Sequence, residues 1–220
     1  MFRVRSASSF FYAVLVQFAI AVPAMADISD QEKPCTDSQS TIVNQALADA
    51  KAAIGKAIDS FKAPSSDDLA RQQKWFGALS SDTAAKIQNV YETSLAQASF
   101  AQFWCPLSND LSFKWDVGDL AAVSPDEAPG AIFLTPSFFD LGTSGKDSQM
   151  GTFIHELSHL VGIGLHPEVY GTDDALKLAS SDPVKAKNNS DNYQYYVEDL
   201  IFGISTASQN SASKAKHKAS

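Results

Sequence analysis

Residues 151–164, GTFIHELSHLVGIG, decide how the rest of the chain is read, because residue type and spacing together specify a reaction there. His155 and His159 lie four residues apart, so on a helix both imidazoles leave one face about a turn apart and grip a single metal ion. Glu156 stands beside the first of them. This is the HExxH arrangement, two neutral imidazole ligands with a carboxylate placed to take a proton from a water at the metal. A His pair kept only for structure is the competing reading. The flanks Phe153, Ile154, Leu157, Leu160 and Val161 spell a buried helix and favour the metal.

Just beyond this helix, Gly162 and Gly164 end it and let the chain turn back beneath the metal, with His166 and Pro167 following at once. A catalytic zinc needs three protein ligands and one open position. The remaining histidines are His166 and His217, and His217 lies in a polar tail. His166 is therefore the first candidate for third ligand, with Asp173 and Asp174 as rivals. His166 falls one residue too late for the HExxHxxGxxH pattern of metzincins, so Gly162 alone does not place the chain among them.

Upstream, apolar residues recur at helical spacing over 38–61, and 64–67 punctuates the chain. A second helix is predicted over 67–76, ending at Gly77. A third begins at Ser81 or Asp82 and is predicted to run to about Trp104, where Cys105 and Pro106 stop it. The aromatic residues of these helices read as core. After Pro106 the character changes: 111–117 alternates as a strand would, 120–123 is a short candidate, and 131–134 is a compact apolar run. A small sheet just before a metal helix suits a peptidase, which adds an extended substrate as a strand at an exposed edge. Residues 142–148 read as a loop, with Ser148 or Asp147 capping the metal helix. Two further helices are predicted over 172–180 and 189–204, divided by Asp182 and Pro183. The tail, 205–220, is rich in Ser, Ala and Lys without apolar period and is expected to be disordered.

At the other end, Arg3 and Arg5 precede an apolar run over 10–22, and Ala24-Met25-Ala26 supplies the small-x-small site of a secretory signal. The reading is a signal peptide over 1–26, one domain over 27–204, and export to the medium or a periplasm without stable membrane association. Removing the two arginines takes the formal charge from −8 to −10, a surface that repels nucleic acid. Cys35 and Cys105 are the only cysteines, and an even pair in an oxidising compartment invites a disulfide. Closing so long a loop stabilises a fold by about 4 kcal/mol in the chain-entropy model.

Several motifs in order make the chain resemble the deuterolysin and peptidyl-Lys metalloendopeptidase family, the aspzincins, along nearly its whole mature length. KDSQMGTFIHELSH over 146–159 is similar to the family's segment leading into and through HExxH. Tyr170-Gly171, Leu178-Ala179, Pro183 and NSDNYQYY over 189–196 reproduce its C-terminal spacing, and Trp75-Phe76-Gly77 is similar to a family WFG. Cys35 and Cys105 match the positions of a family disulfide. The resemblance implies an α+β, zincin-like fold, mostly helical with a small sheet before the HExxH helix, and one zinc ion per chain. It also implies a monomeric enzyme whose partner is a protein or peptide substrate.

The chain departs from the family at the third ligand. Aspzincins carry GTxDxxYG, with the Asp as ligand; here GLHPEVYG runs over 164–171 and Pro167 fills the Asp slot. Gly171-Thr172-Asp173-Asp174 imitates the GTxD text but falls after Tyr170-Gly171. The expectation is a three-His site in which His166 replaces the Asp. Glu156 would then act as general base, and Tyr170, in the family's Tyr position, would donate a hydrogen bond to the oxyanion. Asp191 occupies the position that pairs with a substrate lysine in Lys-specific members, whereas Gln194 stands where those members carry a second acid. Cleavage at Lys-containing sites is therefore an expectation, and a secreted metal-binding protein of the same fold without catalysis is the alternative.

Overall fold

Three capped helices build the first half of the chain. Thr36 accepts a hydrogen bond from the Gln39 N–H while the Gln39 side chain reaches back to the Thr36 N–H, a capping box that opens α1, Asp37–Lys62. Ser65 and Asp68 repeat the device for α2, Ser66–Phe76, and Ser80 caps α3, Ser81–Gln97. Gly77 ends α2 with φ +72°, and a Cβ there would press on the Ala179 carbonyl and on Pro183, so glycine lets later helices pack on this corner. The computed structural model describes residues 33–105, 119–126, 128–164 and 167–204. The expected signal peptide, the tail over 205–220, the strand over 111–117 and His166 lie outside the described residues.

The third helix is shorter than its apolar pattern predicts. It stops at Gln97, Phe100 is exposed, and Gln102–Trp104 form strand β1 instead. Pairing along a sheet outweighs local helical spacing here: β1 runs parallel to β3, Ala131–Leu134, with Phe103 opposite Ile132. On the other side of β3 lies β2, Ala121–Ala122, antiparallel with Ala121 opposite Leu134, giving the order β1-β3-β2. The disulfide Cys35–Cys105 closes a separation of 70 residues and ties the entry of α1 to the end of β1, beside a bridge between Pro34 and Trp104.

After the short helix α4, Pro136–Phe139, comes α5, Gln149–Leu160, capped by Ser148. Residues 149–159 of α5 are all buried, because α1, α3 and α8 pack around it. Two more helices, α6 at Thr172–Ser181 and α7 at Pro183–Ala186, lead to α8, Ser190–Phe202, whose residues 190–198 are likewise buried. The core between α1, α2, α3 and α8 is aromatic. Phe61, Phe76, Tyr91, Tyr193 and Tyr196 hold their ring centroids 5.1 to 6.3 Å apart, and the buried Tyr91 hydroxyl donates to the Tyr193 carbonyl. Among the described residues, no helix is long and apolar enough to cross a membrane.

Candidate metal centre

On α5 the four-residue spacing brings the two imidazoles together as expected: His155 Nε2 lies 3.0 Å from His159 Nε2. Each ring is oriented from behind. His155 Nδ1 lies 2.8 Å from Asp191 Oδ1, and His159 Nδ1 lies 2.9 Å from the Ile163 carbonyl and 3.2 Å from Ser190 Oγ. With both Nδ1 atoms engaged as donors, both Nε2 atoms are the ones left to meet a metal.

A third donor arrives from the chain that turns back after α5. Glu168 Oε2 stands 3.4 Å from His159 Nε2 and 3.8 Å from His155 Nε2, and the Glu168 side chain is 4% exposed. Among the described residues this oxygen has no hydrogen-bond partner, while Glu168 Oε1 accepts from the Ser190 N–H at 2.8 Å. Gly164 makes the approach possible. Its φ is +74°, and a Cβ there would collide with Glu168 Oε1, Ser190 Oγ and the His159 ring.

The donor set fits a tetrahedral ion. Ligands about 2 Å from zinc stand roughly 3.3 Å from one another, and the three separations here bracket that figure. A buried carboxylate oxygen without a hydrogen-bond partner is costly, and a cation between it and the imidazoles removes the cost. His155, His159 and Glu168 are grouped closely enough to share one ion.

The local field also favours positive charge. Burial alone would keep His155 neutral, yet the hydrogen bond it donates to Asp191 and the charge of Glu168 carry it up to about 9. Burial and the neighbouring His155 charge hold His159 down to about 3. The pair thus keeps one positive charge where its Nε2 atoms converge. Burial lifts Glu156 to about 7 against the pull of His155, with Glu168, Asp119 and Asp191 adding to the rise. Glu168 is raised by burial as well.

The remaining sequence candidates fall in different places. Tyr170 is half-buried and its ring lies 6.2 Å from the His155 ring at an interplanar angle of 24°. Asp191, expected to face a substrate lysine, is 1% exposed: Oδ1 meets His155 and Oδ2 accepts from the Gly171 N–H. Asp173 and Asp174 are exposed in the first turn of α6, where acidic side chains suit the helix dipole. Sequence reasoning missed Glu168 and Ser190. The signal for Glu168 was legible, since Pro167 has no donor atom and the next residue is an acid. Ser190 had none, because its contact with His159 joins residues 31 apart.

Comparison with known proteins identifies the family. Residues 61–198 match the family model described as lysine-specific metallo-endopeptidase, the aspzincins. An "Extracellular protease" of Aeromonas hydrophila is 36% identical over 84% of this chain and 52% of its own length. A "Peptidyl-Lys metalloendopeptidase" of Armillaria mellea is 30% identical over 74% of this chain and 45% of its own. The chain thus spans about half the length of these relatives. A solved zinc peptidase from Grifola frondosa superposes with a TM-score of 0.64 at 27% identity, covering 76% of this chain and 98% of that one. The α+β zincin-like fold and the ordered motifs lead to one conclusion: the chain belongs to the aspzincin family of zinc metalloendopeptidases.

Proposed function

We propose that this chain is an exported endopeptidase that hydrolyses internal peptide bonds with one zinc ion held by His155, His159 and Glu168. The observation that carries the ligand set is the buried Glu168 Oε2, without a hydrogen-bond partner among the described residues and 3.4 Å from His159 Nε2. When bound, zinc supplies Lewis acidity, which makes a water nucleophilic at neutral pH and polarises the carbonyl under attack.

The chain's own groups do the rest. Glu156 takes the proton from the attacking water and delivers it to the leaving amine; its buried carboxyl, raised to about 7, is matched to working in both directions near neutral pH. Tyr170, with its ring beside His155, donates its O–H to the oxyanion that develops on the carbonyl. Asp191 and Ser190 hold the two imidazoles in the tautomer that presents Nε2. Asp191 so placed is a positioning residue and does not face a substrate lysine. Preference for Lys-containing sites is carried by the family description, and export by the relative named as an extracellular protease.

Casein digestion by the zinc-loaded protein tests the reading. Activity is expected, abolished by a chelator and by Glu156→Ala, the latter with zinc content unchanged. A protein that holds zinc and leaves casein intact would instead be a secreted metal-binding relative. For the third ligand, Glu168→Ala is expected to lose zinc after dialysis while His166→Ala keeps it. The reverse result would restore the three-His site.

A further inference from the structure

We infer that Glu198 is a positioning residue for the metal centre: its buried carboxylate fixes the height at which α5 sits on α8, and so the spacing between the ligand histidines and the groups that orient them. This inference rests on the ligand set proposed above.

The two helices are joined by polar contacts at two heights. At one, His155 of α5 meets Asp191 of α8. At the other, the Ser148 N–H and hydroxyl both donate to Glu198 Oε1 at 2.8 Å, and the Asp147 N–H donates to Oε2 at 3.1 Å. Ser148 precedes His155 by seven residues, and Glu198 follows Asp191 by seven. Seven residues are about two helical turns, so in antiparallel helices both contacts fall on one facing side. Because a helix is stiff along its axis, a shift where α5 begins carries His155 along α8 by the same distance.

The far contact is built with the closeness of a site and the cost of one. Glu198 is fully buried, and a Cβ on Gly151 would collide with its Oε1, so the carboxylate rests against the first turn of α5 itself. Ser148 Oγ accepts from the Gly151 N–H at 3.0 Å while passing its own proton to Glu198, which makes the helix cap and the interhelical contact one unit. Asp147 adopts φ +56°, a left-handed conformation uncommon outside glycine, and the Tyr195 hydroxyl of α8 donates to its Oδ1 at 2.7 Å. Burial pushes Glu198 up to about 8, while the donors from Ser148 pull the other way. An apolar residue would fill this space without that penalty; what it could not supply is an acceptor for three donors at the start of the metal helix.

Glu198→Gln keeps volume and one acceptor oxygen but turns an N–H toward the Asp147 N–H. Its metal-free form is compared with wild type for zinc affinity by chelator competition, for the visible spectrum of the Co2+-substituted protein, and for melting temperature. We expect a folded variant with zinc affinity about tenfold weaker and altered Co2+ ligand-field bands. A lower melting temperature with unchanged zinc affinity and Co2+ spectrum would mean a purely structural role and overturn the inference. Should Glu198→Gln not fold, Tyr195→Phe removes a single hydrogen bond of the same contact. It is expected to weaken zinc binding about threefold with the same spectral change, and no change in either would overturn the inference. His159→Ala is the control for the ligand set, since zinc binding that survives it rejects that set separately.

Discussion

The packing of α1 with α3 and the packing of α5 with α8 both bury side chains between helices, yet they are made of different materials. The first is alanine, isoleucine and aromatic side chains at helical spacing, with Val43, Ala46, Ala50, Ile54 and Ala57 of α1 all buried. The second brings the buried Ser148, His155 and His159 into polar contact with the buried Glu198, Asp191 and Ser190. Apolar packing tolerates exchange of one side chain for another of like volume, whereas a buried polar seam holds only if each group finds its partner. The apolar faces of α5 and α8 join the same core as α1, through Phe153, Leu157, Tyr193 and Tyr196, while the polar seam between them carries the groups proposed to hold the metal.

This contrast predicts mutational effects of different kinds. The largest is in the seam: Glu156→Gln should lower peptide hydrolysis by about a thousandfold with zinc content intact, measured as kcat/KM alongside metal analysis. Loss of activity in step with loss of zinc would give Glu156 a structural role instead. Next is the apolar block, where Phe76→Ala should destabilise by roughly 3–5 kcal/mol, read from denaturant midpoints, while zinc affinity of the folded protein is unchanged. A drop in affinity there would erase the division between the two regions. Asp191→Asn should weaken zinc binding by about 10–100-fold with little loss of stability.

pH enters through the same seam. Ligand imidazoles bind metal only when neutral, and His155 keeps its proton in the free protein up to about 9. Apparent zinc affinity should therefore fall as pH is lowered from that value, by up to about tenfold per unit, in a titration with a buffered zinc indicator. A flat profile between pH 6 and 8 would contradict the proton-linked site. The smallest effect belongs to neither region: Val184→Ser, on an exposed side chain, should shift stability by less than about 0.5 kcal/mol.

Legibility in the sequence follows the same division. Helices α1, α2, α5, α6 and α8 are readable within a few residues, because periodicity and, for α1, α2 and α5, Ser or Thr caps are local signals. The end of α3 is not, since the partner of Gln102–Trp104 lies some thirty residues away at Ala131. At the centre, His155, Glu156 and His159 follow from spacing alone. Asp191 is visible as a motif residue but is misread, because nothing in NSDNYQYY says that its carboxylate turns inward to His155 rather than outward to a substrate. For the third ligand the sequence offers both His166 and, two residues on, Glu168, and what favours Glu168 is a tertiary contact, the Ser190 N–H donating to its Oε1.

The third ligand is best examined directly. Crystals of the zinc-loaded protein, measured on both sides of the zinc absorption edge, would place the ion by its anomalous signal. The account predicts one peak within about 2.2 Å of His155 Nε2, His159 Nε2 and a Glu168 carboxylate oxygen. A peak bonded to His166 with Glu168 turned away, or a zinc ion bound anywhere other than between His155 and His159, would contradict it.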